Sequence, residues 1–440
     1  MSLIFSRRRE WKAHSEIMKN RIYWPETLSG PPLPIKPDPL ADTYDIAVIG
    51  GGLTGLSAAC HLALKGCSVV VLEASRVGQG ASSRNAGMAM TGLTLFPQEL
   101  IARYGHERAL GLYCIGTAAV DFLEAWIHNE KIDCDFKRYG ALCAAYTRRH
   151  VKDLVNARRL LLDTFGHETL LVEPKDLSAE LGSPLYHGAL VDPISAGLNP
   201  AKLVHGILKR ISETGVCVSE ERPVQRISQS NHYFKLETPR GTVRAESVIV
   251  ATNGYTPAWL KFLRRRVIPV ASFIVVTEPL PLELARELIP QGRMVYDTKH
   301  LLYYFRRVDG NRLLFGGRVS FGKTDDRIAA AKLHNDMQEV FPQLKPYRVE
   351  YYWSGKLGFT FDRMPHIGQQ AGLYYALGYC GHGVALSVYF GYMLARMAVG
   401  EPVDLPFIDL PFPTRFYYRK TPWFLPLAGA FYKAIDRLGR

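Results

Sequence analysis

Residues 44–87 constrain the fold more than any other part of this chain of 440 residues. The apolar, β-branched segment 45–49 predicts a buried parallel strand, and a G-x-G-x-x-G loop follows it directly at 50–55. Residues 56–65 have helical periodicity, and residues 68–72 form a second apolar segment that ends at an acidic residue. This order of strand, glycine loop, helix, strand and acid predicts a dinucleotide-binding βαβ unit.

Each part of this unit has a physical role. Gly50 permits the tight turn, Gly52 lets the backbone approach a pyrophosphate, and Gly55 lets the helix pack closely on the strand. Backbone N–H groups at the start of the helix face the phosphates, and Glu73 accepts hydrogen bonds from ribose hydroxyls. Because all these parts occur in register, they favour a nucleotide site over a glycine-rich turn in an ordinary βαβ unit.

Three further segments carry a resemblance to a known family. Residues 76–87 form a loop of small and hydroxyl-bearing residues, residues 248–255 form an apolar strand that ends in a turn, and residues 353–384 combine a strand, a glycine-rich loop and the start of a helix. With the first unit, they resemble the D-amino-acid-oxidase-like (DAO) family of FAD-dependent amine oxidoreductases. Over residues 44–400 the chain is most similar to the gamma-glutamylputrescine oxidase and glycine/sarcosine oxidase branch.

The resemblance implies FAD as the cofactor. The helix after Gly383 would direct its positive N-terminal dipole at the flavin and stabilise negative charge there. The residues implied to contact FAD are Gly50, Gly52, Leu53, Thr54, Gly55, Glu73, Ala74, Arg76, Ser82, Ser83, Asn85, Ala86, Gly87, Val224, Ala251, Thr252, Gly355, Gly381, His382, Gly383 and Val384.

The implied fold is α/β plus α+β: a Rossmann-like FAD-binding domain interleaved with a mixed-sheet substrate domain, as in the glutathione-reductase type of FAD fold. The predicted segments are an N-terminal helix and Pro-rich strap at 1–43, the FAD-binding domain at 44–100, 195–262 and 345–400, the substrate domain at 101–194 and 263–344, and a basic, aromatic tail at 401–440.

Four side chains are predicted to act in catalysis or substrate binding. Tyr304 and Arg306 share one face of a predicted hairpin strand and would bind substrate together, although a core tyrosine beside an edge arginine explains the pattern equally well. His382 lies in the predicted flavin-facing loop and would donate a hydrogen bond to the reduced ring, unless it only fills the turn. Lys356 would lie near the flavin, or else be solvated.

Composition and charge exclude several classes of protein. The seven cysteines are scattered without a C-x-x-C pair, which argues against a disulfide framework, an iron–sulfur cluster or a metal site and favours a reducing, cytoplasmic compartment. Residues 1–9 are basic but precede no apolar core, so no signal peptide is expected. The formal net charge is +13, but the sequence contains no nucleic-acid-binding motif. Nucleic acid is therefore not a predicted partner.

The chain also departs from the family pattern. No cysteine occurs between Cys217 and Cys380, so the thioether that attaches FAD in sarcosine oxidases is excluded and non-covalent FAD is expected. The arginines that hold the carboxylate in glycine oxidase fall at Leu357 and Gly381, which disfavours a small α-amino acid bound in that manner. The lysine that activates oxygen in sarcosine oxidases is absent from the matching segment 313–316.

The implied function is an FAD-dependent amine or amino-acid oxidase. Hydride moves from the carbon beside a neutral amine to flavin N5, giving an imine, and oxygen is the electron acceptor. Three alternatives stay open: a membrane-associated amine or imino-acid dehydrogenase that reduces quinone, a flavin monooxygenase, and a non-enzymatic FAD-binding protein. The sequence does not determine which amine is the substrate.

The segment 416–440 is aromatic, apolar and basic. Leu427, Phe431, Ile435 and Leu438 mark one helical face, but the prolines and the short length argue against a membrane span. One prediction is that the segment lies in a membrane interface on the cytoplasmic side. The other is that it packs either on the protein's own surface or on a dimer partner.

Overall fold

The computed structural model describes residues 18–29, 41–230, 232–318, 325–419 and 421–438. In chain order, the helices are α1 (Leu53–Leu64), α2 (Pro97–Tyr104), α3 (His106–Asn129), α4 (Arg148–Phe165), α5 (Pro200–Ser212), α6 (Lys261–Arg264), α7 (Leu282–Leu288), α8 (Asp326–Val340), α9 (Gly383–Ala398) and α10 (Leu425–Leu438).

The strands of the first half are β1 (Lys19–Asn20), β2 (Thr43–Ile49), β3 (Val69–Leu72), β4 (Met88–Ala89), β5 (Ala141–Ala144), β6 (Leu170–Val172), β7 (Ala189–Asp192), β8 (Ala196–Gly197) and β9 (Cys217–Ser219). Those of the second half are β10 (Arg226–Gln229), β11 (Phe234–Thr238), β12 (Gly241–Val250), β13 (Ile268–Thr277), β14 (Met294–Asp297), β15 (Tyr303–Val308), β16 (Arg312–Gly317), β17 (Val349–Phe359), β18 (His366–Gln370) and β19 (Leu373–Leu377).

The nucleotide-binding half is built around β2. This strand lies between β3 and β12 and is parallel to both, and β19 continues the parallel sheet on the other side of β12. Both faces of such a sheet are covered, which explains why the buried part of β2 reads as an unbroken apolar run. Helices α1 and α9 pack against each other above it, and their apolar side chains belong to one buried cluster.

The second half is a nine-stranded sheet in the described residues, with the order β1-β17-β13-β16-β15-β14-β5-β7-β6. Its longest pairing is antiparallel, from Ile268 opposite Phe359 to Val276 opposite Tyr351. Helix α8 covers one face with Leu333, Met337 and Val340. The predicted hairpin is present, because β15 and β16 pair across the turn that begins at Asp309.

The structure differs from the predicted organisation in two places. The predicted FAD-binding segment 345–400 includes β17, which pairs with β13 and belongs to the nine-stranded sheet. In the predicted N-terminal segment 1–43, Lys19 and Asn20 form β1 and pair in parallel with β17. Residues 1–17 and the Pro-rich part at 30–40 lie outside the described residues. The remaining domain boundaries stay predictions.

One described helix, α3, is long and apolar enough to cross a membrane by length and composition alone. Leu112, Val120, Leu123 and Ile127 on this helix are buried in the main apolar cluster. Its composition is therefore explained by packing against α9 and neighbouring helices.

Candidate active site

A cavity of about 780 Å³ begins at the loop between β2 and α1 and reaches β17 and the start of α9. Fifteen of the residues implied to contact FAD line it: Gly50, Gly52, Leu53, Thr54, Glu73, Ala74, Ser82, Asn85, Val224, Ala251, Thr252, Gly355, Gly381, Gly383 and Val384. Their individual contacts with the cofactor remain predictions.

The wall of this cavity fits a dinucleotide. Gly50 has φ +106°, and a Cβ there would lie 2.8 Å from the carbonyl oxygen of Ala251. A Cβ on Gly52 would lie 2.8 Å from Ser82 Oγ, and glycine at this position leaves the start of α1 open to a phosphate. The Glu73 carboxylate accepts the N–H groups of Gly51 at 2.7 Å and Ser75 at 2.8 Å. These two bonds hold it at the wall and leave lone pairs for ribose hydroxyls.

A second cavity of about 300 Å³ adjoins the first. Residues that line both include Arg84, Asn85, Gly355, Leu357 and Gly381, which mark the junction. The walls of the second cavity are apolar over part of their surface, with Leu154, Ala157, Leu161 and Leu190. A mostly apolar cavity with few polar groups, next to a cofactor site, is the usual form of a substrate pocket.

His382 lies at the junction end of this second cavity, as the N-cap residue of α9. Thr94 Oγ1 donates its proton to the carbonyl oxygen of Cys380 at 3.0 Å, so it accepts a hydrogen bond from His382 Nδ1 at 3.2 Å. Burial, together with the charge of Arg318, lowers the pKa of His382 to about 4. The imidazole is therefore neutral at neutral pH, and Nε2 is its acceptor.

Three cations line the second cavity, and they differ in their partners. Arg84 donates to the carbonyl oxygens of Gln79 and Ser354, and Lys299 pairs with Asp297 at 3.8 Å. Arg318 lies 4.6 Å from the centre of the Phe359 ring, and no oxygen of the described residues accepts a hydrogen bond from its guanidinium. Burial lowers the pKa of Arg318.

Comparison with known proteins agrees with this geometry. The sequence model of the DAO family, described as FAD dependent oxidoreductase, matches residues 45–397. The chain belongs to this family.

Relatives of the DAO family support the assignment over most of the chain. A probable oxidoreductase OrdL from Haemophilus influenzae is 36% identical over 371 residues, which cover 83% of this chain and 85% of the relative. Gamma-glutamylputrescine oxidoreductase from Escherichia coli is 34% identical over 410 residues, which cover 90% of this chain and 94% of the relative. The solved glycine oxidase from Geobacillus kaustophilus aligns at 23% identity with a TM-score of 0.72, over 84% of this chain and 99% of its own.

Membership of the DAO family confirms the predicted family, the fold class and FAD as the cofactor. This DAO protein is therefore an FAD-dependent enzyme that acts on amines or amino acids.

The structure places Tyr304 and Arg306 differently, although they share a face of β15 as their spacing predicts. Tyr304 lines the second cavity, and its hydroxyl and Ser272 Oγ are hydrogen-bonded at 2.8 Å. Arg306 lies behind the cofactor loop, where its Nη1 donates to the carbonyl oxygens of Gly87 at 2.6 Å and Leu198 at 3.0 Å. The prediction that Arg306 binds substrate is wrong, because its guanidinium is held by backbone oxygens.

Other predicted residues lie at the edge of the DAO active site or outside it. Lys356 is exposed at the rim of the FAD cavity, 5.6 Å from the centre of the Tyr255 ring. His382 and Ala86 line the second cavity and not the first. Gly55 lies under the loop against β2, whereas Arg76, Ser83 and Gly87 line neither cavity. A short 3₁₀ turn at Ala81–Ser83 directs Ser82 inward and leaves Ser83 buried behind it.

Sequence reasoning missed a buried polar chain at the other end of the second cavity. Tyr113 and His167 Nδ1 are hydrogen-bonded at 2.5 Å, and His167 Nε2 lies 3.0 Å from Asp192. Burial opposes charge on Asp192, but hydrogen bonds from His167, Ser195 and Thr91 outweigh it and lower the pKa of Asp192. These residues come from separate elements, so no sequence spacing joins them.

Arg318 was missed as well, although a signal for it exists. Gly316 stands opposite Tyr304 in the hairpin, and a Cβ on Gly316 would lie 2.2 Å from the Tyr304 ring. Because side chains alternate along a strand, Arg318 follows Gly316 on the same face as Tyr304. Extending the alternation one residue beyond β16 would have predicted Arg318 as a cavity residue.

Proposed function

We propose that this DAO enzyme oxidises the C–N bond of an amine that also carries an anionic group, which Arg318 binds. The observation that carries this proposal is the guanidinium of Arg318 inside the second cavity without an acceptor among the described residues. A buried charge without a partner is unfavourable, and a carboxylate would satisfy it through paired charge-assisted hydrogen bonds. The name of the relative gamma-glutamylputrescine oxidoreductase, which combines an amine with a glutamyl group, supports the same substrate class.

The chain's own residues orient the substrate in this proposal. Arg318 holds the anionic group, His382 Nε2 accepts a hydrogen bond from the amine, and the apolar walls exclude water. Tyr304 and Ser272 contribute a pair of hydrogen-bonded hydroxyl groups to the wall of the second cavity. When bound, FAD supplies the hydride acceptor for the carbon next to the nitrogen. The protein therefore needs no nucleophile.

Replacement of Arg318 tests the substrate class. Flavin absorbance is followed anaerobically with matched pairs of amines that differ only in a carboxylate. Arg318→Met should weaken binding of the carboxylate-bearing amine by about 2–5 kcal/mol, which is roughly 30-fold or more, and leave its neutral partner nearly unchanged. Lys356→Met is the matched control, because that cation lies exposed at the rim of the other cavity. Equal loss for both amines, or preference of the unmodified enzyme for the neutral amine, would contradict the proposal.

The pH dependence tests the role of His382. Hydride transfer needs a neutral amine, so the rate of flavin reduction should rise with pH to a plateau. The pKa of about 4 keeps His382 neutral over that range, so the midpoint should follow the pKa of each substrate amine. His382→Ala should slow flavin reduction more than it weakens FAD retention and leave the midpoint in place. A midpoint that stays constant across amines of different basicity, or that disappears in this variant, would contradict the assignment.

We further propose oxygen as the electron acceptor, which makes the enzyme an oxidase, as the name of the relative glycine oxidase suggests. Two observations favour a quinone-reducing dehydrogenase instead: the absence of the oxygen-activating lysine from segment 313–316 and the exposed apolar side chains of α10. The test mixes anaerobically reduced enzyme either with air-saturated buffer or with a soluble quinone analogue. The rate of flavin reoxidation in each mixture distinguishes an oxidase from a dehydrogenase. Rapid reoxidation by oxygen supports the oxidase, and slow reoxidation that only quinone accelerates supports the dehydrogenase.

A further inference from the structure

We propose that the C-terminal segment 415–438 docks this protein on an anionic lipid surface. Trp423, Leu427, Phe431 and Ile435 repeat at every fourth position along α10 and the turn before it, so they lie on one side of the helix. Their exposed fractions are 59%, 68%, 62% and 37%. We call these four residues the apolar stripe.

The opposite side of α10 is fixed to the protein. Leu425 is buried with Ile268, Val270 and Tyr418. Further along, the Asp436 carboxylate accepts the backbone N–H groups of His300 at 2.9 Å and Leu301 at 3.0 Å. Tyr432 stacks on the His300 ring at a centroid distance of 5.1 Å.

These contacts hold the helix in one orientation, with the apolar stripe outward. The alternative that the predicted apolar face packs on the protein's own surface is therefore wrong for Leu427 and Phe431, which are mostly exposed. In the described part of the chain nothing buries the stripe, so a partner outside the protein can cover it.

The charge around the stripe selects a lipid surface as that partner. Residues 414–440 contain six basic residues and one acidic residue, Asp436, whose carboxylate is engaged by the protein backbone. Helix α6 adds further basic side chains beside this segment, because Thr414 Oγ1 donates to the carbonyl oxygen of Arg265 and Arg264 contacts Tyr418. Lys261 and Arg265 are exposed.

Aromatic and apolar side chains surrounded by cations match the boundary between headgroups and acyl chains of an anionic bilayer. Each basic residue near such a surface adds to the attraction. A second copy of this chain, by contrast, would bring the same positive charge against itself in a two-fold interface.

The docked helix lies beside the second cavity. Asp436 and Tyr432 contact the segment 300–301, and the neighbouring Thr298, Lys299 and Leu302 line the second cavity. An amphipathic substrate or electron acceptor held in the bilayer would therefore meet the protein near this cavity.

Vesicle co-sedimentation of the full-length FAD-bound protein tests the proposal. Vesicles of phosphatidylcholine alone are compared with vesicles that also contain phosphatidylglycerol, at low and high salt. The protein should pellet with the anionic vesicles only, and salt should weaken the binding because it screens the basic residues. The double variant Leu427→Ser/Phe431→Ser should bind at least about tenfold more weakly, since it removes two buried apolar side chains from the bilayer contact. FAD content and turnover in solution should not change.

The double variant Leu170→Ser/Ile328→Ser is the matched control, because both residues are exposed apolar side chains outside this segment. It should bind vesicles as the unmodified protein does. Equal binding to neutral vesicles, or unchanged binding of Leu427→Ser/Phe431→Ser, would overturn the proposal. Sedimentation velocity adds a third outcome: a dimer that Leu427→Ser/Phe431→Ser dissociates, without vesicle binding, would assign the stripe to a second copy and also overturn it.

Discussion

At the scale of single residues, the surroundings of a buried arginine decide its role. Arg306 and Arg318 come from the same hairpin region, and burial lowers the pKa of both; that of Arg306 falls to about 10. Arg306 is bonded to backbone oxygens of the cofactor loop and of the segment before α5. Arg318 faces the second cavity with no such partner among the described residues. The protein backbone holds the first arginine, and the second is the one that the proposed substrate would bind.

This difference predicts unequal effects of the two arginines on stability. Arg306→Met should lower the free energy of unfolding by about 2–4 kcal/mol, because backbone oxygens of Gly87 and Leu198 lose a charged donor inside the protein. Arg318→Met should change it by less than about 1 kcal/mol, since no acceptor among the described residues is left unsatisfied. Urea unfolding of both variants, with FAD content matched, makes the comparison. Equal stability of the two variants would contradict the assigned roles.

At the scale of elements, one missing side chain sets the distance between α1 and β2. A Cβ on Gly55 would lie 1.9 Å from the carbonyl oxygen of Gly50, which belongs to the backbone and cannot turn aside. Gly55→Ala should therefore displace α1 and abolish FAD retention. The measurement is the flavin content of the purified protein and its recovery after addition of FAD.

A second helical glycine provides the control for Gly55. A Cβ on Gly111 in α3 would meet only the Pro406 side chain, at 3.6 Å. Gly111→Ala adds the same methyl group at a position where no atom would clash with it. It should stabilise the protein by up to about 1 kcal/mol, because alanine has the higher helix propensity. FAD retention in Gly55→Ala equal to that of Gly111→Ala would refute the steric argument.

At the scale of the whole molecule, the two sheets are joined through the cofactor loop. Trp353 Nε1 in β17 donates to the carbonyl oxygen of Arg84 at 2.9 Å, and Arg84 Nη1 donates back to Ser354 at 2.9 Å. Trp24, from the segment after β1, donates to the carbonyl oxygen of Asn85 at 2.8 Å. The loop that lines both cavities is thus held by the nine-stranded sheet.

These contacts predict that the protein unfolds as one unit. Calorimetry should show a single transition, and FAD at about 1,000 times its dissociation constant should stabilise the whole molecule by roughly 4 kcal/mol. The melting temperature should rise with FAD concentration, and the whole heat-absorption peak should move to the higher temperature. Two transitions, of which only one responds to FAD, would show instead that the sheets unfold independently.

The sequence by itself determined the nucleotide-binding unit, the family and the cofactor. The predicted strand 45–49, the helix from 56 and the strand 68–72 correspond to β2, α1 and β3, and the helix predicted from Val384 corresponds to α9. These elements are predictable because glycine spacing, apolar periodicity and strand length are local properties of the chain.

Only the tertiary structure decided which side chains meet and which face outward. It separated Arg318 from Arg306, brought Thr94 to His382, and joined Tyr113, His167 and Asp192 from different elements. It also turned the apolar stripe of α10 toward solvent. Periodicity shows that side chains share a face, but what covers that face depends on which distant segment packs there, and that is a property of the folded chain as a whole.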